Sequence, residues 1–515
     1  MDTKKKDYSI FQRFMLGVEK VGNKIPHPMT VFILLIVILF VVSHFTQGKI
    51  IEVPGSDKEV ITQSLMTKEF MHQFLKTIPK NFTDFAALRY VLVIMLGTAM
   101  CEYTGLFKAA MGRVVSKASA RMVTLIIVTI SVNGNLALDS ANVFIPALAA
   151  IAYAAIGRNP LIGIATSFSC ISGAFCAAFI FDSNDAALAG ITELATKMLP
   201  MIEGYEVSVA MNWYFQLIGA LVLIPVGVFI DEKIVTPMVE GNPRYALDSE
   251  FKLESVKMDE LSSTEKKGLR NAGISLLAYI IIVLVLTIPQ NSFFRNPETG
   301  GIMPNSPFMD SMVVLLTLLF FIPGVTYGIS IGDIKSEKDI ANHMAKGIAS
   351  MSSFVILIFF AAQFFACFNY TNLATAIAVG GTNLINEFNL VGIPLVIIYI
   401  LIMTFINLFV VSSTSKWAMV APIFVPMFAL LGYSPAFAQA LYRVGNSVSN
   451  IITPLSSGLT IVLGIMTRYK KDAGLGTIIS LTLPFSIGLL ITWTLLSVAF
   501  LVFQIPLGPG YGIFL

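Results

Sequence analysis

Charged residues are scarce in this 515-residue chain, and their scarcity excludes an ordinary soluble domain. Only 13% of the residues are charged, whereas soluble domains carry roughly 25%. Hydrophobic residues make up 56% of the chain, and the mean hydropathy is +0.79. Apolar runs recur along the whole length, and a membrane-spanning helix needs about 20 mostly apolar residues. The composition predicts an all-α polytopic membrane protein with the lipid bilayer as a partner.

Cysteine and histidine are also scarce, with four of each. No two cysteines have the Cys-x-x-Cys spacing of a zinc site, and the histidines are scattered. Walker and nucleophile motifs are absent, which argues against ATP-driven pumping and hydrolysis. We expect no metal, no cofactor, no nucleic-acid partner and no enzymatic activity.

A polar segment within the apolar sequence occurs twice. Residues 139–160 read DSANVFIPALAAIAYAAIGRNP, and residues 414–435 read TSKWAMVAPIFVPMFALLGYSP. Each begins with polar residues, contains an internal proline and ends in Gly-x-x-Pro, and these two endings are 275 residues apart. A polar break repeated at membrane depth is typical of a transporter built from two related halves.

The apolar runs predict nine transmembrane helices plus two re-entrant hairpins in an inverted repeat. We expect a first membrane half at 29–231 with a hairpin near 121–157, and a second at 269–515 with a hairpin near 393–434. An N-terminal segment, 1–28, precedes them, and a charged linker, 232–268, joins them. The spans are expected near 29–46, 86–107, 160–200 (broken), 211–231, 271–289, 308–329, 347–369, 435–466 (broken) and 477–503.

Lys and Arg predict the orientation, because cytoplasmic loops carry an excess of them. The basic segment 1–28 is expected in the cytoplasm, and its apolar neighbour is expected to be a retained helix rather than a signal peptide. Arg158 closes the first hairpin on the same side. No Lys or Arg lies within 347–415, so the second hairpin should enter from outside. The long loop 47–85 is expected outside although it contains five lysines.

Hairpin tips at membrane depth offer unpaired backbone groups and helix ends that can bind ions and anions. The first tip is expected around Asp139 and Asn142, and the second around Asn407, Ser413 and Thr414. Their hydroxyl and amide groups either bind a solute or merely form hydrogen bonds with the backbone groups that the bend leaves free.

Ionisable residues inside the membrane are the strongest candidates for a role in transport. Such residues persist in membrane-spanning segments where they form ion pairs or serve a function. Asp182 and Asp185 follow the first hairpin, and Arg443 follows the second. Arg443 could clamp a carboxylate, while Asp185 could pair with it or carry a proton. Lys416 could be paired or used within the membrane, or its amine could snorkel to the interface. Trp417 could stack on an aromatic substrate or be an ordinary packing residue of the protein interior.

Several stretches resemble the p-aminobenzoyl-glutamate transporter (AbgT) family along essentially the whole chain. They include GNKIPHP (22–28), AVGGTNLI (378–385), SKWAMVAPIFVPMFALLGYSPAFAQALYRVGNS (415–447) and IPLGPG (505–510). The resemblance implies a homodimer in the bacterial inner membrane that carries p-aminobenzoyl-glutamate-like solutes, and some members resemble exporters of sulfonamide antimetabolites. Transferred by motif, the family's site falls on Asp185, Asn407, Thr414, Trp417, Pro435, Arg443 and Pro454.

The chain departs from the family pattern at Asn446, where members often carry an acid, and at Thr414, where serine is usual. Asn446 remains a candidate for substrate binding, but a proton relay through it is in doubt. The coupling ion is a proton or sodium, and Asp139, Asn142, Asp182, Asp185 and Ser413 are the candidates to bind it.

Three functions are compatible with these patterns. The first is secondary transport of an aromatic carboxylate, and the second is a dicarboxylate carrier of similar architecture. Trp417 favours the first, because a plain dicarboxylate offers no ring to stack. The third, a channel or membrane enzyme, lacks any supporting motif.

Overall fold

The computed structural model describes residues 26–54, 59–116, 121–249, 261–302 and 306–515, and the single positions 20, 24 and 119. These residues form mainly α-helices. A small antiparallel sheet of β1 (Ile50–Glu52) and β2 (Glu59–Ile61) lies between the first two helices. Seven helices of the described chain are long and apolar enough to cross a membrane.

The first half ends in a helix that runs on through a π-helical turn, Asp231–Val235, to Thr236–Val239. Short 3-10 segments lie at Gly134–Ser140, Pro200–Ile202 and Pro243–Tyr245. The helices of this half are α1 (Pro28–Thr46), α2 (Lys68–Thr83), α3 (Ala86–Tyr103), α4 (Leu106–Ser116), α5 (Val123–Val132), α6 (Ala141–Ala155), α7 (Pro160–Gly173), α8 (Ser183–Thr196) and α9 (Trp213–Ile230).

The second half repeats the same order of long helices, short apolar pairs and a broken helix. A single helical turn, Pro307–Asp310, precedes its second long helix. The helices are α10 (Ser263–Val285), α11 (Met312–Ile331), α12 (Glu337–Ser350), α13 (Ser352–Thr371), α14 (Leu373–Glu387), α15 (Ile393–Asn407), α16 (Ser413–Leu430), α17 (Pro435–Asn450), α18 (Ser457–Met466) and α19 (Leu475–Phe503).

Two connections contain more structure than the sequence analysis expected. The loop 47–85 contains the β-sheet and the amphipathic helix α2. A search for apolar runs overlooks this helix because one of its faces is polar. The charged linker is shorter than 232–268, because helical structure extends to Val239 and α10 begins at Ser263. Residues 250–260 lie outside the described part of the chain.

Each broken helix is interrupted by a polar connection, and in the first half the groups of this connection cap the next helix. Asp182 Oδ1 accepts from the backbone N–H groups of Asn184 and Asp185 at the start of α8. Asp185 Oδ2 accepts from Asp182 N at 2.7 Å, which completes a capping box. In the second half, Pro454 lies between α17 and α18, where a proline cannot continue a helix. Polar residues therefore accompany these breaks and form hydrogen bonds with backbone groups that the breaks leave free.

Glycines allow close helix crossings in the first half. The Cβ of an alanine at Gly97 of α3 would lie 2.1 Å from the backbone oxygen of Thr317 in α11. A Cβ at Gly190 of α8 would lie 2.2 Å from Ala87 N in α3. Small residues at such positions are the usual means by which membrane helices approach one another. Helix α3 is thereby fixed between α8 and α11.

Replacing Gly97 with alanine should destabilise the protein by about 1–3 kcal/mol, because the rigid backbone of α11 cannot yield to the methyl group. Gly112→Ala in α4 is the matched control, since nothing lies within 4 Å of its added Cβ. Thermal unfolding of both variants in detergent measures the difference. Equal unfolding temperatures would contradict the close crossing.

Candidate functional site

A cavity of about 380 Å³ lies where the polar breaks of the two halves meet. Its walls come from both short-helix connections and from the starts of α8 and α18. Among the predicted residues, Asn142, Ser413 and Thr414 line it. The polar lining residues are Asn135, Asn142, Ser172, Ser183, Asn184, Ser412, Ser413, Thr414, Asn450, Ser456 and Ser457.

Matching asparagines position the two tips beside the broken helices. Asn135 Nδ2 donates to the backbone oxygen of Ile171 at 3.2 Å, and Asn407 Nδ2 donates to that of Asn446 at 2.9 Å. The accepting residues are 275 residues apart, the same separation as the two Gly-x-x-Pro elements. The internal repeat therefore extends to the hydrogen bonds that close each tip.

Four helices, two from each half, begin at the wall of this cavity. Residues in the first turns of α6, α8, α16 and α18 line it. The first N–H groups of a helix lack intrahelical partners and carry partial positive charge. Ser413 Oγ is buried and has no hydrogen-bond partner in the described structure. The helix starts suit the cavity to an anion, and none of the lining side chains within the described residues is charged.

Aromatic side chains also reach this cavity, but Trp417 is not one of them. Phe175 and Phe354 line the wall. Trp417 is fully buried, its ring centroid lies 4.5 Å from that of Tyr442, and its Nε1 donates to Thr192 Oγ1 at 2.9 Å. In this conformation Trp417 packs within the protein, and the two phenylalanines are the rings available to a solute.

Arg443 and Asp185 form a buried ion pair that connects α17 to α8. Arg443 NH1 donates to Asp185 Oδ1, which also accepts from Gln216 Nε2 at 2.8 Å. The surrounding partners orient the Gln439 amide so that its oxygen accepts from Arg443 NH2 at 3.0 Å and from Nε at 3.2 Å. The guanidinium is thus occupied by protein groups and does not line the cavity. A substrate carboxylate would have to displace Asp185 to reach it.

Lys416 is also fully buried, so of its two alternatives the structure shows an amine held inside the protein rather than one that snorkels to the interface. Lys416 Nζ donates to Asn407 Oδ1 and, at 2.7 Å, to Asn446 Oδ1. Asn407 Nδ2 donates onward to Ser449 Oγ and to Asn450 Oδ1, each at 2.9 Å. The two amide oxygens stabilise the buried amine because their hydrogen bonds replace those that it would otherwise form with water. Asn407 and Asn446 therefore belong to this cluster rather than to the cavity lining.

The remaining predicted residues lie at structural positions. Pro435 is the first residue of α17, where a missing N–H costs nothing. Pro454 follows Thr453, whose Oγ1 donates to the backbone oxygen of Leu408 at 2.8 Å, so the second break is attached to the end of α15. Asp182 caps α8 rather than facing the cavity. The side chain of Asp139 lies outside the described residues.

A further buried carboxylate, Asp231, was missed because it follows directly on an apolar run and resembles a helix end. Its Oδ2 accepts from Tyr153 Oη at 2.7 Å and from Thr166 Oγ1 at 2.5 Å. The adjacent Glu232 accepts two bonds from Arg158, at 2.6 and 2.9 Å. The π-helical turn brings both acids to the base of the first short-helix pair. Among the described residues, no group of His, Cys, Asp and Glu could hold a metal ion.

Comparison with known proteins identifies the family to which this architecture belongs. A model of the AbgT putative transporter family matches residues 13–515. The chain belongs to the AbgT family. It is 36% identical to the p-aminobenzoyl-glutamate transport protein of Escherichia coli (strain K12) over 499 residues, which are 96% of this chain and 95% of that protein.

Two solved AbgT-type structures are similar to this chain. The Neisseria gonorrhoeae MtrF structure, described as illuminating a class of antimetabolite efflux pumps, aligns with a TM-score of 0.89 at 36% identity, covering 97% of this chain and 100% of that one. The Alcanivorax borkumensis YdaH transporter, described as having an unusual topology, aligns with a TM-score of 0.86 at 30% identity, covering 94% and 100%. The AbgT family is a family of transporters, and the chain is a multi-span membrane protein of that family.

Breaking the Arg443–Asp185 pair should destabilise the protein by about 3–5 kcal/mol, because the remaining charge stays buried without a partner. Asp185→Asn and Arg443→Met should each lower the unfolding temperature, whereas the double variant should lose less than the sum of the two. Lys197→Met is the control, because its contact with Glu193 is exposed and 3.8 Å long and is worth about 1 kcal/mol or less. Additive losses would contradict a direct pair.

Proposed function

We propose that this chain is a secondary active transporter that binds an aromatic carboxylate such as p-aminobenzoyl-glutamate in the cavity between its two halves. The observation that carries the proposal is the convergence of four helix N-termini and two phenylalanines on one cavity whose described lining residues carry no charge. Helix N-termini attract carboxylates, and the phenylalanine rings suit an aromatic group. The E. coli relative is named for transport of p-aminobenzoyl-glutamate, which has both features.

The proposed architecture has nine membrane crossings and two re-entrant hairpins in the inner membrane, with the N-terminus in the cytoplasm. The hairpins would be α5–α6 and α15–α16, which are short, apolar and joined by polar residues. A backbone that turns at membrane depth is tolerated where it lines a cavity, as these connections do. Helices α1 and α10 have largely exposed apolar surfaces that can face lipid or a second subunit of the proposed homodimer.

Coupling to a proton or sodium gradient would supply the free energy for accumulation. Hydroxyl and amide oxygens around the cavity suit a hard cation, and the buried charges beside it offer sites for a proton. The same cavity would serve import or export, because the imposed gradients decide the direction. Sulfonamide antimetabolites are a second aromatic cargo to test, since MtrF is described among antimetabolite efflux pumps.

Proteoliposome flux tests the proposed function. Purified protein should exchange labelled p-aminobenzoyl-glutamate across the bilayer and accumulate it when a proton or a sodium gradient is imposed, with each gradient applied separately and in both directions. Empty liposomes provide the background. Absence of both exchange and accumulation would overturn the proposal, and complete inhibition by excess succinate would favour the dicarboxylate carrier.

Phe354→Ala should raise the apparent KM for p-aminobenzoyl-glutamate about tenfold, because an aromatic contact is worth about 0.5–1.5 kcal/mol beyond burial. Phe359→Ala is the matched control on the same helix, since Phe359 packs on Phe82 and Phe360 and does not line the cavity. Concentration-dependent uptake measures both constants. An equal change in the two variants would remove Phe354 from the binding site.

A further inference from the structure

Lys416 is a buried amine without an acidic partner. It forms no ion pair with any carboxylate of the described chain, and its hydrogen bonds go only to Asn407 Oδ1 and Asn446 Oδ1. The aromatic ring of Tyr442 has its centroid 5.5 Å from Nζ. A buried ammonium is normally paired with an anion, because an isolated charge in an apolar interior is costly.

The hydrogen bonds of Lys416 match a neutral amine. A neutral amine has two N–H donors, and two amide oxygens receive them. An ammonium has three donors, and the third has no acceptor among the described residues. Asn446 Oδ1 is an acceptor without charge, and Asn446 Nδ2 has no partner of its own. The pocket therefore accepts the amine and leaves the ammonium only partly satisfied.

The surrounding titratable groups do not neutralise a charge at this position. Asp185 is bound to Arg443, and Asp182 caps α8. Tyr442 Oη donates to the backbone oxygen of Ser413 at 2.5 Å. The other titratable side chains on helices packed against α16 are Glu193, Cys367, Tyr370 and Glu387. Tyr399 contacts Phe424 of α16, and Cys176 is hydrogen-bonded to Ser447 of α17. None of these side chains is bonded to Lys416.

The Lys416 pocket is connected to the cavity. Lys416 lies two residues after Thr414, which lines the cavity at the start of α16. Asn407 bridges the pocket to Asn450 through its Nδ2, and Asn450 also lines the cavity. A displacement of the α15–α16 connection would therefore bring water to Nζ and separate it from its amide partners at the same time.

We propose that Lys416 carries the coupled proton, as a neutral amine in the conformation described here and as an ammonium when the α15–α16 connection opens to water. On one side of the membrane the Nζ lone pair takes a proton from hydronium, so that an N–H bond forms as an O–H bond breaks and water is left. On the other side the ammonium returns the proton to water, and the N–H bond breaks as hydronium forms. The proposal rests on the proposed transport function, and it assigns the coupling ion as a proton.

Lys416→Met tests this assignment, because methionine fills the space and cannot hold a proton. The variant should retain exchange of labelled p-aminobenzoyl-glutamate but lose at least tenfold of the accumulation driven by an imposed pH step. Lys335→Met, at an exposed lysine, is the control and should behave as the wild type. A merely structural role for Lys416 would lower exchange and accumulation together, which would overturn the proposal.

Asn446→Asp provides a test that keeps Lys416 in place. A carboxylate 2.7 Å from Nζ would stabilise the ammonium, so the pH at which uptake is half-maximal should rise by one unit or more. An unchanged pH profile would overturn the proposal. If Lys416→Met does not fold, the pH profile of Asn446→Asp alone tests whether Lys416 carries the proton. Sodium-driven uptake by the wild type without proton movement would also overturn it. Absence of wild-type exchange would instead refute the transport function.

Discussion

The requirement that every backbone polar group find a partner in an apolar environment governs this structure. The chain breaks two helices and reverses two short apolar pairs, and each interruption frees N–H and C=O groups that lipid cannot satisfy. Asn135 and Asn407 meet this requirement by donating to carbonyl groups of the next broken helix. The starts of four helices surround one cavity, and the side chains of Asp182 and Ser412 cap two of them. The proposed solute site is thus the place where these interruptions meet.

The buried charges are distributed unequally between the two halves. An acidic residue of one half therefore forms an ion pair with a basic residue of the other, and this pair connects the halves. The first half contributes Asp185 and the second contributes Arg443, so their pair exists only when the halves are assembled. Among the described residues Lys416 has no acidic counterpart, and its hydrogen bonds go to uncharged amides. One basic residue is therefore neutralised by an acid of the other half, while the other is held by hydrogen bonds alone.

Sequence patterns predicted the apolar helices and the polar breaks well, because both follow from the length of apolar runs and from Pro, Gly and Asn placement. Amphipathic helices such as α2 escaped the same criterion, since their mean hydropathy is low. Side-chain pairing was harder to predict. Whether Arg443 would bind a solute or Asp185 depends on contacts between residues 258 positions apart. Phe354 had no local signal, because an aromatic residue in an apolar run is ordinary.

The helix ends around the cavity have a consequence for how it responds to its surroundings. Their partial charges come from peptide dipoles, which gain or lose no protons. The helix-end part of the proposed attraction for a carboxylate is therefore the same whichever compartment the cavity faces, at acidic or neutral pH. In the proposed site, a difference in affinity between the two sides must arise from movement of the helix ends or from a group that does titrate, such as Lys416.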